Sequence, residues 1–278
     1  MPAVQRRHYP QPTCVTFEIT TRCNLACVMC PHGLSNGMLN KRDAPDALVE
    51  SIIAQTPNLY SIHPTGVGEP MLADGFWRIV DHLAGRVQPR LTFNTNGLLL
   101  TPRNVARVMA APLALVSVSM DAAAPETYRR IRGGDFRKVT DGIRRLSEAR
   151  AALSPDPERI LFMSMVLMRE NIAEAAAFAT LAADLGMDGI YLEHLTEPQM
   201  PAKDWVVTRD DYTFRYDEEQ LFAHAAEADA AVIAALDVAD ARGIAVSGSE
   251  ILLLPGSAAH EQRPCRARQR ETLASGMM

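Results

Sequence analysis

No stretch of this 278-residue sequence is apolar for long enough to cross a membrane. The longest apolar run, residues 160–168, is interrupted by Ser164 and falls far short of the ~20 residues that a membrane helix needs. Residues 1–12 include Arg6 and Arg7 but lack the apolar core of a secretory signal. We therefore predict a cytoplasmic protein without a membrane partner.

Cysteine and excess charge are also scarce. The five cysteines are too few for a disulfide scaffold in a chain of this length. The 28 Lys and Arg residues against 33 Asp and Glu give a net charge of −5, which disfavours nucleic acid as a partner because nucleic-acid binding usually needs a basic face. A hydrophobic fraction of 47% excludes intrinsic disorder. What remains is a globular protein with a sizeable core.

Short β-rich runs alternate with longer helical patterns along most of the chain. Strands are predicted at residues 15–19, 59–63, 90–94, 113–120, 159–168, 189–194 and 244–247. Strands that alternate with helices pair in parallel through right-handed crossovers. Six or so such units fit a partial barrel better than a full eight-unit barrel. We predict an α/β fold, a partial (β/α)6 TIM-like barrel with parallel strands over residues 13–247, followed by a tail at 248–278.

The end of this series contains two further expectations. Residues 197–211 are rich in proline and aspartate and are predicted to form a long loop over the barrel mouth. The alanine-rich pattern after them predicts one long helix over residues 217–241. In barrels of this kind the chemistry lies in loops at the carboxyl ends of the strands.

Three of the five cysteines lie in one such loop, directly after the first predicted strand. Cys23, Cys27 and Cys30 have a C-x3-C-x2-C spacing. Three thiolates on a tight loop can bind three corners of an iron–sulfur cluster and leave one iron open. The rival interpretation is a structural zinc site closed by His32, although zinc sites usually combine two separated ligand pairs. Cys14 lies outside the loop and is predicted to be a packing residue.

The cysteine loop resembles that of the radical S-adenosylmethionine (radical SAM) superfamily. The resemblance implies that Cys23, Cys27 and Cys30 bind a [4Fe-4S] cluster whose free iron is chelated by S-adenosylmethionine. Members usually have an aromatic residue before the third cysteine, against the adenine. Here Met29 holds that position, which replaces stacking by an apolar contact.

Motifs after the next strands support the resemblance in the expected order. Gly66, Gly68 and Glu69 follow the second strand, where glycines permit a close backbone approach and Glu69 can receive a cationic amine. They resemble the family's glycine-rich motif, which holds the methionyl amino group. After the third strand, Asn96 precedes Gly97 in what is either a plain turn or a stretch that lines the cofactor site.

The fourth strand ends in Ser119-Met-Asp121, with Ser119 and Asp121 on one face. One interpretation is that Asp121 caps the next helix. The stretch also resembles one in peptide-modifying members, which implies that Ser119 and Arg132 contact the carboxylate of the cofactor. Asp121 is also predicted to lie beside the cofactor. The forked guanidinium of Arg132 is well suited to bind a carboxylate through two hydrogen bonds. Glu193 and His194, which end the sixth strand, are weaker candidates for the substrate side.

The resemblance implies an enzyme that cleaves S-adenosylmethionine reductively to a 5′-deoxyadenosyl radical. That radical would abstract hydrogen from a peptide or small-molecule substrate, with electrons from an external flavodoxin- or ferredoxin-type donor. Cys265 lies where many peptide-modifying members begin a cysteine-rich, SPASM-like extension, so the tail at 248–278 is expected to be a truncated form or remnant of it. The competing explanation is a coincidence in an arginine-rich tail. The alternative is a non-catalytic iron–sulfur or zinc-binding relative.

Overall fold

The computed structural model describes residues 12–34, 40–195, 204–248 and 251–254. Cys265 and the rest of residues 255–278 lie outside this part, so the expected extension remnant stays a prediction. Within the described residues, no helix combines the length and apolar character needed to span a membrane.

A seven-stranded parallel sheet organises the chain, which confirms the predicted α/β fold. Its strands are β1 (Cys14–Glu18), β2 (Ser61–Thr65), β3 (Arg90–Thr95), β4 (Leu113–Ser119), β5 (Ile160–Leu167), β6 (Gly189–His194) and β9 (Ala245–Ser247). The spatial order, β1-β2-β3-β4-β5-β6-β9, follows the chain order. Every right-handed crossover therefore advances in the same direction and places its helix on the same face of the sheet.

The helices cover that face and complete the core, except for the short helix Tyr216–Glu219, whose Tyr216 packs in a separate cluster. They are α1 (Asp46–Gln55), α2 (Asp74–Leu83), α3 (Pro102–Met109), α4 (Pro125–Arg132), α5 (Phe136–Ala151), α6 (Ala175–Asp184), α7 (Tyr216–Glu219) and α8 (Ala225–Arg242). Phe76 of α2, for example, meets Phe93 of β3 edge-on at 5.1 Å between ring centroids. Both rings are fully buried, so the helix layer and the sheet share one hydrophobic core.

The loop predicted at residues 197–211 is partly wrong. Residues 197–203 lie outside the described part, but β7 (Val206–Arg209) and β8 (Tyr212–Arg215) form an antiparallel hairpin. Its two-residue turn is Asp210-Asp211, and Asp210 has a φ of 53°. Aspartate tolerates the left-handed region and permits such a turn without glycine. The alternating Val206–Arg215 segment is therefore a strand signal that the aspartates obscured.

The helix predicted over residues 217–241 is wrong in its first third. The backbone leaves the helical region at Gln220 (φ −69°, ψ 140°), and the long helix α8 begins only at Ala225. The short helix α7 belongs to the hairpin, because the Tyr212 hydroxyl donates a 2.8 Å hydrogen bond to the Glu219 carboxylate. Residues 217–241 thus form two α-helices rather than the one continuous helix that their composition predicts.

Two smaller expectations also change. Asp121 does not cap α4. The Glu174 carboxylate instead accepts a hydrogen bond at the start of this helix, 2.6 Å from the backbone nitrogen of Ala123. Cys14 is exposed rather than packed. It lies on β1, which pairs only with β2 among the described strands and alternates between exposed and half-buried positions.

Candidate metal and cofactor site

The predicted site residues lie at the carboxyl ends of four neighbouring strands. The cysteine loop, residues 23–30, follows β1, and the glycine-rich segment 66–69 follows β2. Asn96 comes directly after β3, while Ser119 ends β4 and Asp121 lies two residues beyond it. Because the strands are parallel and neighbours in the sheet, these segments meet at one edge, where such folds place their chemistry.

The three thiols of the loop differ in exposure and partners. Cys27 is buried, and its Sγ lies 3.7 Å from Nη1 of Arg132. Cys23 is half-buried, with Nδ2 of Asn96 at 3.7 Å and the backbone nitrogen of Leu25 at 3.5 Å from its Sγ. Burial raises the pKa of the Cys27 thiol to about 12, although Arg132 opposes this, and burial also raises the pKa of Cys23 and Cys30. Thiolates at these positions therefore need compensating positive charge.

Glycines let the loop fold tightly against its surroundings. A Cβ on Gly33 would lie 2.4 Å from the carbonyl oxygen of Cys27, and one on Gly68 would lie 2.3 Å from that of Thr20. Glu69 adds a 2.8 Å hydrogen bond from its backbone nitrogen to the carbonyl oxygen of Arg22, directly before Cys23. The predicted close approach of the glycine-rich segment is thus made to the backbone that leads into the cysteine loop.

Glu69 joins this segment to the end of β3. Its buried carboxylate accepts hydrogen bonds from the Thr95 hydroxyl at 2.8 Å, the Asn96 nitrogen at 2.7 Å and the Met71 nitrogen at 3.3 Å. Burial raises its pKa to about 7, while these three hydrogen bonds act in the opposite direction. The Asn96 side chain in turn donates to Asn24 at 2.7 Å and points toward Cys23. Gly97, at φ 78°, makes the predicted turn.

Arg132 and Asp121 form a buried ion pair behind Cys27. Nε and Nη2 of Arg132 both lie 2.7 Å from Oδ2 of Asp121, so the carboxylate that the arginine grips is supplied by the chain itself. The other oxygen of Asp121 accepts from the backbone nitrogen of Val166 at 2.8 Å. Asp121 reaches this position with a φ of 59°. The predicted contact of Arg132 with a cofactor carboxylate would have to use its remaining donors, which face Cys27.

A cavity of about 310 Å³ opens on the face of the sheet opposite the helices, next to the Arg132–Asp121 ion pair. Ser119, Asp121, Arg132 and the predicted substrate-side residue Glu193 all line it. His194 does not, because successive strand residues point to opposite faces and its Nε2 lies 3.1 Å from the Ile251 carbonyl oxygen. The structure therefore supports Glu193 over His194 as a residue beside the cavity.

Met29 and Gly66 occupy the flanks of the site. Met29 is half-buried and packs on the cluster around Val28, so its apolar character is used within the protein. Gly66 has a φ of 146°, and a Cβ there would lie 2.5 Å from the Glu18 side chain. Only glycine fits this conformation without strain.

Sequence reasoning missed six further polar residues that line the cavity: His63, Thr92, Asn94, Ser117, Ser164 and Tyr191. Within the described part of the chain, the buried Nε2 of His63 has no hydrogen-bond partner, and burial lowers the pKa of its imidazole. The signal was available as polar side chains at alternate positions of consecutive strands. A period of two with polar residues on one face indicates a lined interior rather than a second apolar layer.

The chemistry of the donor set, three thiols with donors aimed at two of the sulfurs, fits an iron–sulfur cluster. One zinc ion holds its thiolates at about 2.3 Å, whereas an iron–sulfur cluster binds its cysteines through different irons and permits a wider spread. Arg132 and Asn96 direct donors at two of the three sulfurs, as expected around cluster-bound thiolates.

These features define an α/β protein with a three-cysteine site at the carboxyl edge of a singly wound parallel sheet. Residues 17–182 match the model of the Radical SAM superfamily. The chain belongs to the radical SAM superfamily, whose members use a [4Fe-4S] cluster and S-adenosylmethionine.

Named relatives cover the same part of the chain. The chain is 31% identical over 177 residues to the mycofactocin maturase MftC of Mycolicibacterium smegmatis, an alignment of 63% of this chain and 43% of that protein. It is 28% identical over 185 residues to GTP 3′,8-cyclase of Petrotoga mobilis, covering 64% and 54%. The chain thus spans about half the length of these curated relatives.

Two solved structures have the same fold. Streptococcus suis SuiB bound to S-adenosylmethionine superposes with a TM-score of 0.63 at 12% identity, covering 92% of this chain and 56% of SuiB. Native anSMEcpe with bound AdoMet gives a TM-score of 0.63 at 16% identity, covering 85% and 64%. The predicted relation to a TIM-like barrel is confirmed by these neighbours.

Proposed function

We propose that this chain binds a [4Fe-4S] cluster through Cys23, Cys27 and Cys30 and uses S-adenosylmethionine to start radical chemistry. The observation that carries the proposal is the meeting of the three-cysteine loop with Asn96 and Arg132 beside an interior cavity. When bound, the cluster would supply the one electron that cleaves S-adenosylmethionine. Family membership supports this chemistry.

The chain's own residues would perform the positioning. Asn96 and Arg132 would stabilise the thiolates of Cys23 and Cys27 by donating hydrogen bonds. Ser119 and Arg132 line the cavity, where a ligand can reach them. The family's amine-binding role for Glu69 would be served by a carboxylate that the Thr95 hydroxyl and two backbone nitrogens hold in place.

The substrate is proposed to be a peptide that enters the cavity. MftC is named a maturase, and SuiB has been solved with the precursor peptide SuiA. The name of another relative, GTP 3′,8-cyclase, indicates a nucleotide substrate and so supports a small-molecule substrate instead. An external flavodoxin- or ferredoxin-type donor in the cytoplasm would supply the electron. Loss of mass from a peptide encoded beside this gene, incubated with the reconstituted protein, would decide for the peptide.

The test of the cluster assignment is anaerobic reconstitution with iron and sulfide, followed by reduction in the presence of S-adenosylmethionine. We expect three to four irons per chain and formation of 5′-deoxyadenosine. Cys27→Ala should lose the iron and the product, because it removes one of only three proposed thiolate ligands.

Cys14→Ala is the matched control, since Cys14 is an exposed cysteine outside the loop. It should retain wild-type iron content and product formation. Stoichiometric zinc without iron, or a cluster that never cleaves S-adenosylmethionine, would contradict the proposal in favour of a non-catalytic relative.

A further inference from the structure

The β7–β8 hairpin lies against the cysteine loop although the two are about 180 residues apart in the chain. Its apolar side chains form a buried cluster with the loop and with the end of α4, separate from the main core. The members of that cluster are Val28, Ile131, Met168, Leu195, Trp205, Phe214 and Tyr216. Val28, the residue between Cys27 and Met29, is fully buried there, so folding the hairpin removes the middle of the cysteine loop from water.

The peptide carbonyls on either side of Cys27 are both held by side chains of the hairpin segment, residues 205–215, which includes Trp205 directly before β7. The Trp205 indole N–H donates to the Val28 carbonyl oxygen at 2.9 Å. The Arg209 guanidinium donates from Nη2 to the carbonyl oxygen of Ala26. The backbone of the loop thus receives one donor before Cys27 and one after it, both from the same hairpin.

Arg209 also ties the loop to the helix that carries Arg132. Its Nη1 donates to the carbonyl oxygens of Arg130 at 3.0 Å and Ile131 at 2.9 Å, at the carboxyl end of α4. The backbone nitrogen of Val28 donates to the same Ile131 oxygen at 2.9 Å. A cation that bonds the last carbonyls of a helix is favoured by their unpaired lone pairs and by the helix dipole. One guanidinium therefore joins three separate segments of the chain.

Gly133 provides the space for this guanidinium. A Cβ at Gly133 would lie 2.7 Å from Cζ of Arg209, and the residue has a φ of 72°. The left-handed end of α4 and the arginine therefore fit together only if residue 133 has no side chain.

We propose that Trp205 and the β7–β8 hairpin form a clamp that fixes the position of the Cys27 sulfur relative to Arg132. The clamp makes Arg209 and Trp205 positioning residues for the proposed cluster. Only the expected effect of the clamp on a bound cluster rests on the proposed cluster-binding function. The restraint on Cys27 is a property of the chain without any cluster.

The first test therefore uses the cluster-free protein. Iodoacetamide alkylation is followed at each cysteine by peptide mass spectrometry, with exposed Cys14 as the internal reference. In Arg209→Ala and in Trp205→Phe, which retains a ring but loses the N–H donor, we expect Cys27 to react at least fivefold faster than in the wild type. Cys14 should react at the wild-type rate.

Arg215→Ala is the matched control, because Arg215 is an exposed arginine of the same hairpin whose ion pair is with Glu218. It should leave Cys27 alkylation within twofold of wild type. Arg209→Lys retains the charge but cannot span the three carbonyls, and should fall between wild type and Arg209→Ala. Thermal unfolding of each variant gives the acceleration that global destabilisation alone would cause.

The second test uses the reconstituted protein. Arg209→Ala and Trp205→Phe should lose iron to a chelator at least fivefold faster than wild type and should broaden the electron paramagnetic resonance spectrum of the reduced cluster. Rates within twofold of wild type for both variants, or Cys27 acceleration no larger than global unfolding explains, would overturn the clamp. If no variant and no wild-type protein assembles a cluster, the proposed function fails while the alkylation result still decides the clamp.

Discussion

Folding removes two ionisable side chains, Glu69 and Arg132, almost completely from water. The cost of burying each charge is offset in a different way. Arg132 receives a full counter-charge from Asp121, which is 1% exposed. Glu69 accepts hydrogen bonds from neutral groups within 3.3 Å and is influenced only weakly by the Arg132 charge, so burial still raises its pKa to about 7. An isolated buried carboxylate is less stable than its protonated form, whereas a paired one retains its charge.

This difference gives a pH prediction for the cluster-free protein. Between the ordinary pKa of 4.5 and about 7, folded Glu69 holds a proton that the unfolded chain releases. Its contribution to the free energy of unfolding is therefore largest at low pH and falls as the pH rises, by up to about 1.4 kcal/mol per pH unit. Glu69→Gln has no proton to lose, so its unfolding free energy should fall less steeply with pH than that of the wild type.

Urea unfolding of both proteins at pH 5, 6 and 7 measures the two slopes. The half-buried histidines His32 and His63, whose pKa values are lowered by partial burial, act in the opposite direction but equally in both proteins. The difference between the slopes therefore isolates Glu69. Parallel pH profiles would show that the carboxyl group is ionised throughout this range.

At the scale of elements, α4 connects three parts of the site. It begins at Pro125 beneath the Glu174 carboxylate and ends at Arg132, whose fork reaches Asp121 and Cys27. Glu174 accepts hydrogen bonds from the backbone nitrogens of Ala123 and Ala124 and from the Thr127 hydroxyl. The helix start has no capping side chain of its own, and its hydrogen-bond donors are thus paired with a carboxylate from a distant segment.

Removing this distant cap should destabilise the fold. We expect Glu174→Ala to lower the free energy of unfolding by about 2–3 kcal/mol, because charged hydrogen bonds contribute about 1.5–3 kcal/mol and their loss leaves helix donors unpaired. Urea unfolding measures the loss. Glu126→Ala, an exposed glutamate in the first turn of the same helix, should cost less than about 1 kcal/mol. Equal losses in the two variants would show that Glu174 does not act as the cap.

Across the whole molecule, two cavities can be identified within the described residues on the face of the sheet opposite the helices. The upper one, about 310 Å³, opens beside the cysteine loop, and a lower one of about 450 Å³ lies near the amino ends of β5 and β9. Ile160 and Phe162 line both and therefore form the wall between them. The main hydrophobic core lies on the opposite, helix-covered face.

The wall formed by Ile160 and Phe162 should contribute to the stability of the fold although a cavity lies on each side of it. We expect Phe162→Ala to lower the free energy of unfolding by about 3 kcal/mol, at the low end for buried phenylalanine, because the ring contacts cavity on two sides. Phe222→Ala, which truncates a ring that is 65% exposed, should change it by less than about 1 kcal/mol. Denaturant titrations of both variants provide the comparison. A loss below 1 kcal/mol for Phe162→Ala would mean that the wall is not part of the packed structure.

Features that are local or periodic were predictable from the order of the amino acids alone. The spacing of Cys23, Cys27 and Cys30 and the order of the motifs after successive strands identify the family, because both are written in short segments. The parallel strands were predictable since each buried strand and its following helix have their own hydrophobic period. The sequential order of the sheet follows from short right-handed crossovers.

Which distant residues meet is visible only in the folded chain. Trp205 bonds the backbone beside Cys27 across 177 positions of the chain, and Glu174 caps a helix about 50 residues before it. The pairing of Arg132 with Asp121 replaces the predicted helix cap, and the hairpin replaces part of a predicted loop. Local propensity contains no information about such contacts, because their free energy comes from burying and pairing groups that become neighbours only in the folded chain.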